Sequence, residues 1–157
     1  MQVDFAHFLE KFPVIELPVT ITEDTHLEIG EANEPLHSLM IEQYLASDGD
    51  DEYTEYVACF KLPKQKEFEA IVFWKAGLLV YEYILATYSR NGDPLAAEVI
   101  AGTTVKGELL IQTVATIDAA LTVYMATGAA EVTTGDALDA ADNKLKHLEI
   151  LENGQIV

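Results

Sequence analysis

The chain has 157 residues, half of them apolar, which is the length of about one domain and enough to bury a core. Twenty-seven Asp and Glu stand against nine Lys and Arg, and the formal charge of -18 argues against a nucleic-acid backbone or an anionic membrane as partner. A mean hydropathy of +0.13, with one Trp, seven Tyr and six Phe, excludes disorder over most of the chain.

The sequence opens Met1-Gln2-Val3-Asp4-Phe5, with no basic flank and no long apolar run, so no secretory signal is expected and a cytoplasmic location is. Apolar-rich stretches are interrupted by Lys75, Glu82 or Asp118 before reaching the roughly 18 residues of a spanning helix. Cys59 is the only cysteine, which rules out an internal disulfide and agrees with a reducing compartment.

Phe5, Phe8, Leu9 and Phe12 recur at helical spacing behind Asp4, a good N-cap, and predict a short helix over 4–11. Pro13 stops it. The stretch 13–21, with Pro13 and Pro18, reads as an extended edge or strap and not as a central strand. Asn33 as cap, Pro35 in the first turn and a stripe of Leu36, Leu39, Met40 and Tyr44 predict a second helix ending near Ala46.

From Tyr53 the period becomes that of strands. Strands are expected near 53–62, 67–75, 78–89, 95–101, 107–118 and 119–127, with turns at Pro63-Lys64-Gln65-Lys66, Ala76-Gly77 and Asn91-Gly92, and a closing hairpin over 144–157 through Asn153-Gly154. The second and third carry apolar residues on both faces, as strands do when a helix, or the sheet itself, covers the second side. Residues 129–143 read equally as loop or as a turn of helix. The expected fold is therefore a single mainly β (α+β) domain: a curved antiparallel meander of about six to eight strands behind two short N-terminal helices.

The charge is uneven. Residues 1–60 hold fourteen acids and one Lys, 61–106 five acids and six bases, and 107–157 eight acids and two bases. One-sided acidity serves solubility, and it also steers a basic partner. On the second reading, Asp48, Asp50, Asp51, Glu52 and Glu55 are the candidate contacts for a basic protein.

No motif fixes a reaction, and no cofactor is implied. Asp48-Gly49-Asp50-Asp51-Glu52 resembles the start of a calcium loop, but an EF-hand counted from Asp48 would put Tyr53 at its glycine position and Cys59 at its bidentate glutamate. Asp136, Asp139 and Asp142 would share a helix face, as a weak cation site or simply a polar side. His7, His26, His37 and His147 lack zinc spacing. Cys59, mid-strand, has no cationic neighbour in sequence to activate it and reads as a buried thiol. Nine aromatic residues fall between Tyr53 and Tyr88. They make core, or, if the sheet forms a cup, Trp74, Tyr81 and Tyr83 line a small-ligand pocket.

The segments Phe12-Pro13-Val14-Ile15-Glu16-Leu17-Pro18, Tyr83-Ile84-Leu85-Ala86-Thr87-Tyr88 with Asn91-Gly92, and Glu152-Asn153-Gly154-Gln155-Ile156 resemble those of small uncharacterised bacterial β-meander proteins. The resemblance covers most of the chain, is one of style without a diagnostic motif, and carries over no catalytic residues. The acidic composition is also similar to that of immunity proteins that neutralise basic bacterial toxins. The functions in view are thus an acidic protein-interaction domain, an immunity-like inhibitor, and a small-ligand-binding protein or enzyme with an aromatic pocket.

Overall fold

A computed structural model describes residues 2–132 and 144–157. Seven strands follow one another as an antiparallel meander: β2 (Glu55–Lys61), β3 (Phe68–Gly77), β4 (Val80–Ser89), β5 (Pro94–Lys106), β6 (Leu109–Ile117), β7 (Thr122–Glu131) and β8 (Lys144–Glu149). The sheet is curved but not closed. An eighth strand, β1 (Val19–Ile21), joins it out of sequence by pairing with Ala115–Ile117 of β6. Its place exists because β5 pairs with β6 only from Gly102 to Lys106 and elsewhere stays with β4. The prolines of 13–21 fit this strap: before β1, only Val14 bridges the sheet, at Lys61.

The first helix, α1 (Phe5–Leu9), forms where the stripe predicts it, and the Asp4 carboxylate accepts the Ala6 N–H at 3.3 Å. Between β1 and β2 the chain departs from expectation. A one-turn helix, α2 (Thr25–Glu28), and a 3-10 turn (Gly30–Ala32) precede a later start of the next helix, α3 (Ser38–Met40), which continues as a π turn over Ile41–Leu45. Its cap is His37, whose Nδ1 accepts the Leu39 N–H at 3.1 Å. Asn33 does not cap it. Its amide instead donates to the carbonyls of Ala58 and Cys59, at 2.7 and 2.9 Å. Those carbonyls sit at a bulge in β2, where the register against β3 shifts between Ala58 and Phe60 and buries Ala58, Cys59 and Phe60 in succession.

The β3–β4 turn also differs. Gly77 stays in the strand opposite Val80, so Leu78-Leu79 makes the turn and Leu79 takes the positive φ of 61°.

Both faces of β3 and β4 are covered. Against one face α1 and α3 pack Phe5, Phe8, Phe12, Met40 and Leu45 onto Ile71, Phe73, Ala86 and Tyr88. The Tyr88 hydroxyl donates to the Tyr44 carbonyl at 2.8 Å, and the Tyr44 hydroxyl to that of Val3 at 2.6 Å. On the other face the sheet curls, so that Phe68, Val72 and Leu85 share a core with Ile117, Val123 and Leu148 of later strands. The C-terminal turn plugs this core: Ile150 bridges Ile156, and the buried Thr87 hydroxyl donates to the Gly154 carbonyl at 2.6 Å. Among the described residues no buried side-chain polar atom lacks a hydrogen bond, and no helix is long and apolar enough to cross a membrane.

Candidate functional site

Trp74 in β3 lies opposite Tyr83 in β4, and Tyr81, two residues earlier, points to the same face. The three aromatic residues singled out in the sequence therefore come together, along one wall of a cleft of about 370 Å³. Their exposures are graded. Tyr83 is 1% exposed, Trp74 9% and Tyr81 42%, so the first two form a fixed base and the third presents its ring to solvent. The Trp74 and Tyr81 rings are nearly parallel, 6° apart with centroids at 5.9 Å.

The other parts of the cleft come from elements the sequence does not announce. The β1–α2 turn is closed by Thr25, whose hydroxyl accepts the Thr22 N–H at 2.8 Å. It delivers Glu23, Asp24 and His26 to the cleft. The His26 ring lies flat on Trp74, 2° from parallel at 4.0 Å. It is held there by the Tyr83 hydroxyl, which accepts the His26 backbone N–H at 2.8 Å and lies 2.9 Å from Nδ1. The Glu23 carbonyl is farther from this hydroxyl, at 3.4 Å. Burial pushes the Tyr83 phenol well above its ordinary value, so it remains a donor.

The Glu23 carboxylate accepts from the Gln112 amide on β6 at 2.5 Å. Asp24 occupies the N-cap position of α2, yet its side chain makes no capping bond. Gly102 and Thr103 of β5 complete the lining. Gly102 has a φ of 153°, and a Cβ there would come within 2.3 Å of the Tyr81 carbonyl oxygen, so only glycine lets β5 approach Tyr81 this closely. The result is a slot whose lining combines stacked aromatic rings with two acidic residues. Two other hollows of about 340 and 480 Å³, one over β6–β8 and one beside the C-terminal turn, have no such stack.

The acidic segment is divided. Asp50 is spent internally: it forms an ion pair with Lys75 at 2.6 Å, accepts from the Tyr56 hydroxyl, and takes the backbone N–H and hydroxyl of Ser47, both at 3.1 Å. Partial burial opposes its ionisation, but the bonds from Lys75, Tyr56 and Ser47 prevail and hold its carboxyl at about 2. Asp51 shapes the turn by accepting the Tyr53 N–H at 2.8 Å and the Thr54 hydroxyl at 3.3 Å. Asp48, Glu52 and Glu55 are exposed.

Cys59 is fully buried, and burial pushes its thiol up to about 12. His7 is exposed on α1, and His147 is exposed on β8, its ring tilted against Tyr124 at 6.4 Å. Among the described residues no three His, Cys, Asp or Glu side chains are grouped as metal ligands. Asp136, Asp139 and Asp142 lie outside the described residues.

His26, Glu23 and Asp24 are the site residues that sequence reasoning missed. The local signal was Thr22-Glu23-Asp24-Thr25, a cap-like cluster that marks a helix start, but only the fold brings it across to Trp74. Comparison with known proteins found no matching family model, curated protein or solved structure.

Proposed function

We propose that this protein is a small-ligand-binding β domain whose site is the cleft walled by Trp74, Tyr81 and Tyr83. The observation that carries the reading is the graded exposure of the three: Tyr81 offers an open ring face on a base of packed aromatic side chains locked by the Tyr83–His26 bonds. Preorganised, mostly apolar concavities with a few fixed polar groups are the usual form of ligand sites. The cleft volume also suits a small molecule.

Trp74 is the only tryptophan, so its indole N–H gives a single side-chain resonance at the site. A small-molecule fragment set screened against the labelled protein should contain compounds that shift this resonance saturably. Tyr81→Ala should abolish the shifts while leaving the folded spectrum intact. Shifts that survive Tyr81→Ala, or none from any fragment, defeat the proposal.

A second reading is favoured by the exposure of Asp48, Glu52 and Glu55 beside a front end with thirteen more acids than bases. Here the protein is an acidic interaction domain for a basic protein, or for a basic toxin in the immunity-like version. Neutralising the three acids together should then weaken capture of that basic protein, and moderate salt should do the same. A complex indifferent to both removes this reading.

A further inference from the structure

We infer that the occupant of this cleft is a compact organic cation, an amidinium, guanidinium or alkylammonium group; the inference rests on the cleft being a binding site. Three features select for positive charge. First, the open wall is an aromatic face, and the faces of Tyr and Trp carry the negative part of the ring quadrupole that attracts cations. Tyr81 is both the exposed ring and parallel to Trp74 behind it, so a flat cation laid on Tyr81 continues an existing stack.

Second, the lining of the cleft includes two exposed acidic residues. Glu23 is positioned by one bond from Gln112, which leaves most of its acceptor sites unused. Asp24 sits where an aspartate ordinarily caps its own helix, and its side chain does not do so. An amidinium or guanidinium group satisfies both features together, with its face on the ring and its N–H groups on carboxylate oxygen.

Third, no Lys or Arg lines the cleft among the described residues. An anionic ligand would meet two carboxylates without compensation. The charge of -18 adds a field that concentrates cations near the protein.

Three ligands of nearly one shape and different charge test the inference: benzamidinium, benzamide and benzoate, each titrated against the Trp74 indole resonance at low salt. Benzamidinium is expected to bind on the order of tenfold more tightly than benzamide, with benzoate weakest. Replacing both acids, Glu23→Gln with Asp24→Asn, should narrow the gap between benzamidinium and benzamide to what the aromatic face alone supplies, without a change in melting temperature, since neither change removes packing. A blocked pentapeptide with one central arginine separates the two sources of such a group. Tighter binding than benzamidinium assigns the cleft to a side chain of a docked protein, and weaker binding to a free small molecule. Equal or tighter binding of benzamide overturns the charge selection while leaving the cleft a ligand site. No shift from any of the three overturns both readings.

Discussion

Tyr83→Phe removes one oxygen atom from the base of the cleft and leaves the ring in place. That oxygen accepts the His26 N–H at 2.8 Å and is hydrogen-bonded to Nδ1 at 2.9 Å, so two hydrogen bonds go and a partly buried backbone donor is left without its acceptor. Each bond contributes about 1 kcal/mol net, and an orphaned buried donor costs about 1–3 kcal/mol. Some water reaches His26, which places the loss near 2 kcal/mol, or roughly 4–8 °C in melting temperature for a chain of this length. Urea unfolding should show an earlier midpoint with an unchanged slope, because the surface exposed on unfolding is the same. Trp74 fluorescence in the folded state should change as well, since the bonds that keep His26 on the indole are lost. Tyr81→Phe is the control: its side chain faces solvent, and its stability should stay within about 0.5 kcal/mol of the parent. A Tyr83→Phe protein as stable as that control, with unaltered Trp74 emission, would refute the view that this hydroxyl organises the cleft.

Gly102→Ala should cost about 1–3 kcal/mol by thermal unfolding, because the new methyl must displace the Tyr81 backbone; a neutral result contradicts the close approach of the two strands. Leu79→Gly should stabilise the protein by roughly 1 kcal/mol, since a leucine that is 59% exposed at a positive φ loses little packing and sheds backbone strain. Asp50 supplies a pH dependence. Its folded carboxyl titrates at about 2, below the ordinary 3.8, so its stabilising contribution is complete above about pH 4 and is lost as the pH falls through 2. In Asp50→Asn the fall in urea midpoint between pH 5 and pH 2.5 should be correspondingly shallower than in the parent.

The strands were legible because their signal is local. Alternation in β6 and the two-faced apolar runs of β3 and β4 follow from how each strand is covered, and Asn91-Gly92 marks its turn in any context. The three aromatic residues of the cleft could be named from that alternation alone. What was not legible depends on contacts across the fold. Thr25–Glu28 has too few residues to show a stripe, and it is helical because Tyr83, fifty-seven positions away from His26, receives its backbone. Asn33 has the chemistry of a cap, but the bulge at Cys59 offers it two carbonyls, and the helix start moves to Ser38. The acidic run gave a charge count without showing that Lys75 and Tyr56 of the sheet had already claimed Asp50.

Neighbouring residues of β4, Thr87 and Tyr88, fasten segments from opposite ends of the chain. Thr87 reaches 67 positions forward to Gly154, and Tyr88 reaches 44 back to Tyr44. The hairpin that contains them needs only a two-residue turn and can assemble early, but its two faces are sealed only by long loop closures. Folding should therefore proceed from this hairpin outward, and the amides of β3 and β4 should be the last to exchange with solvent in the native protein.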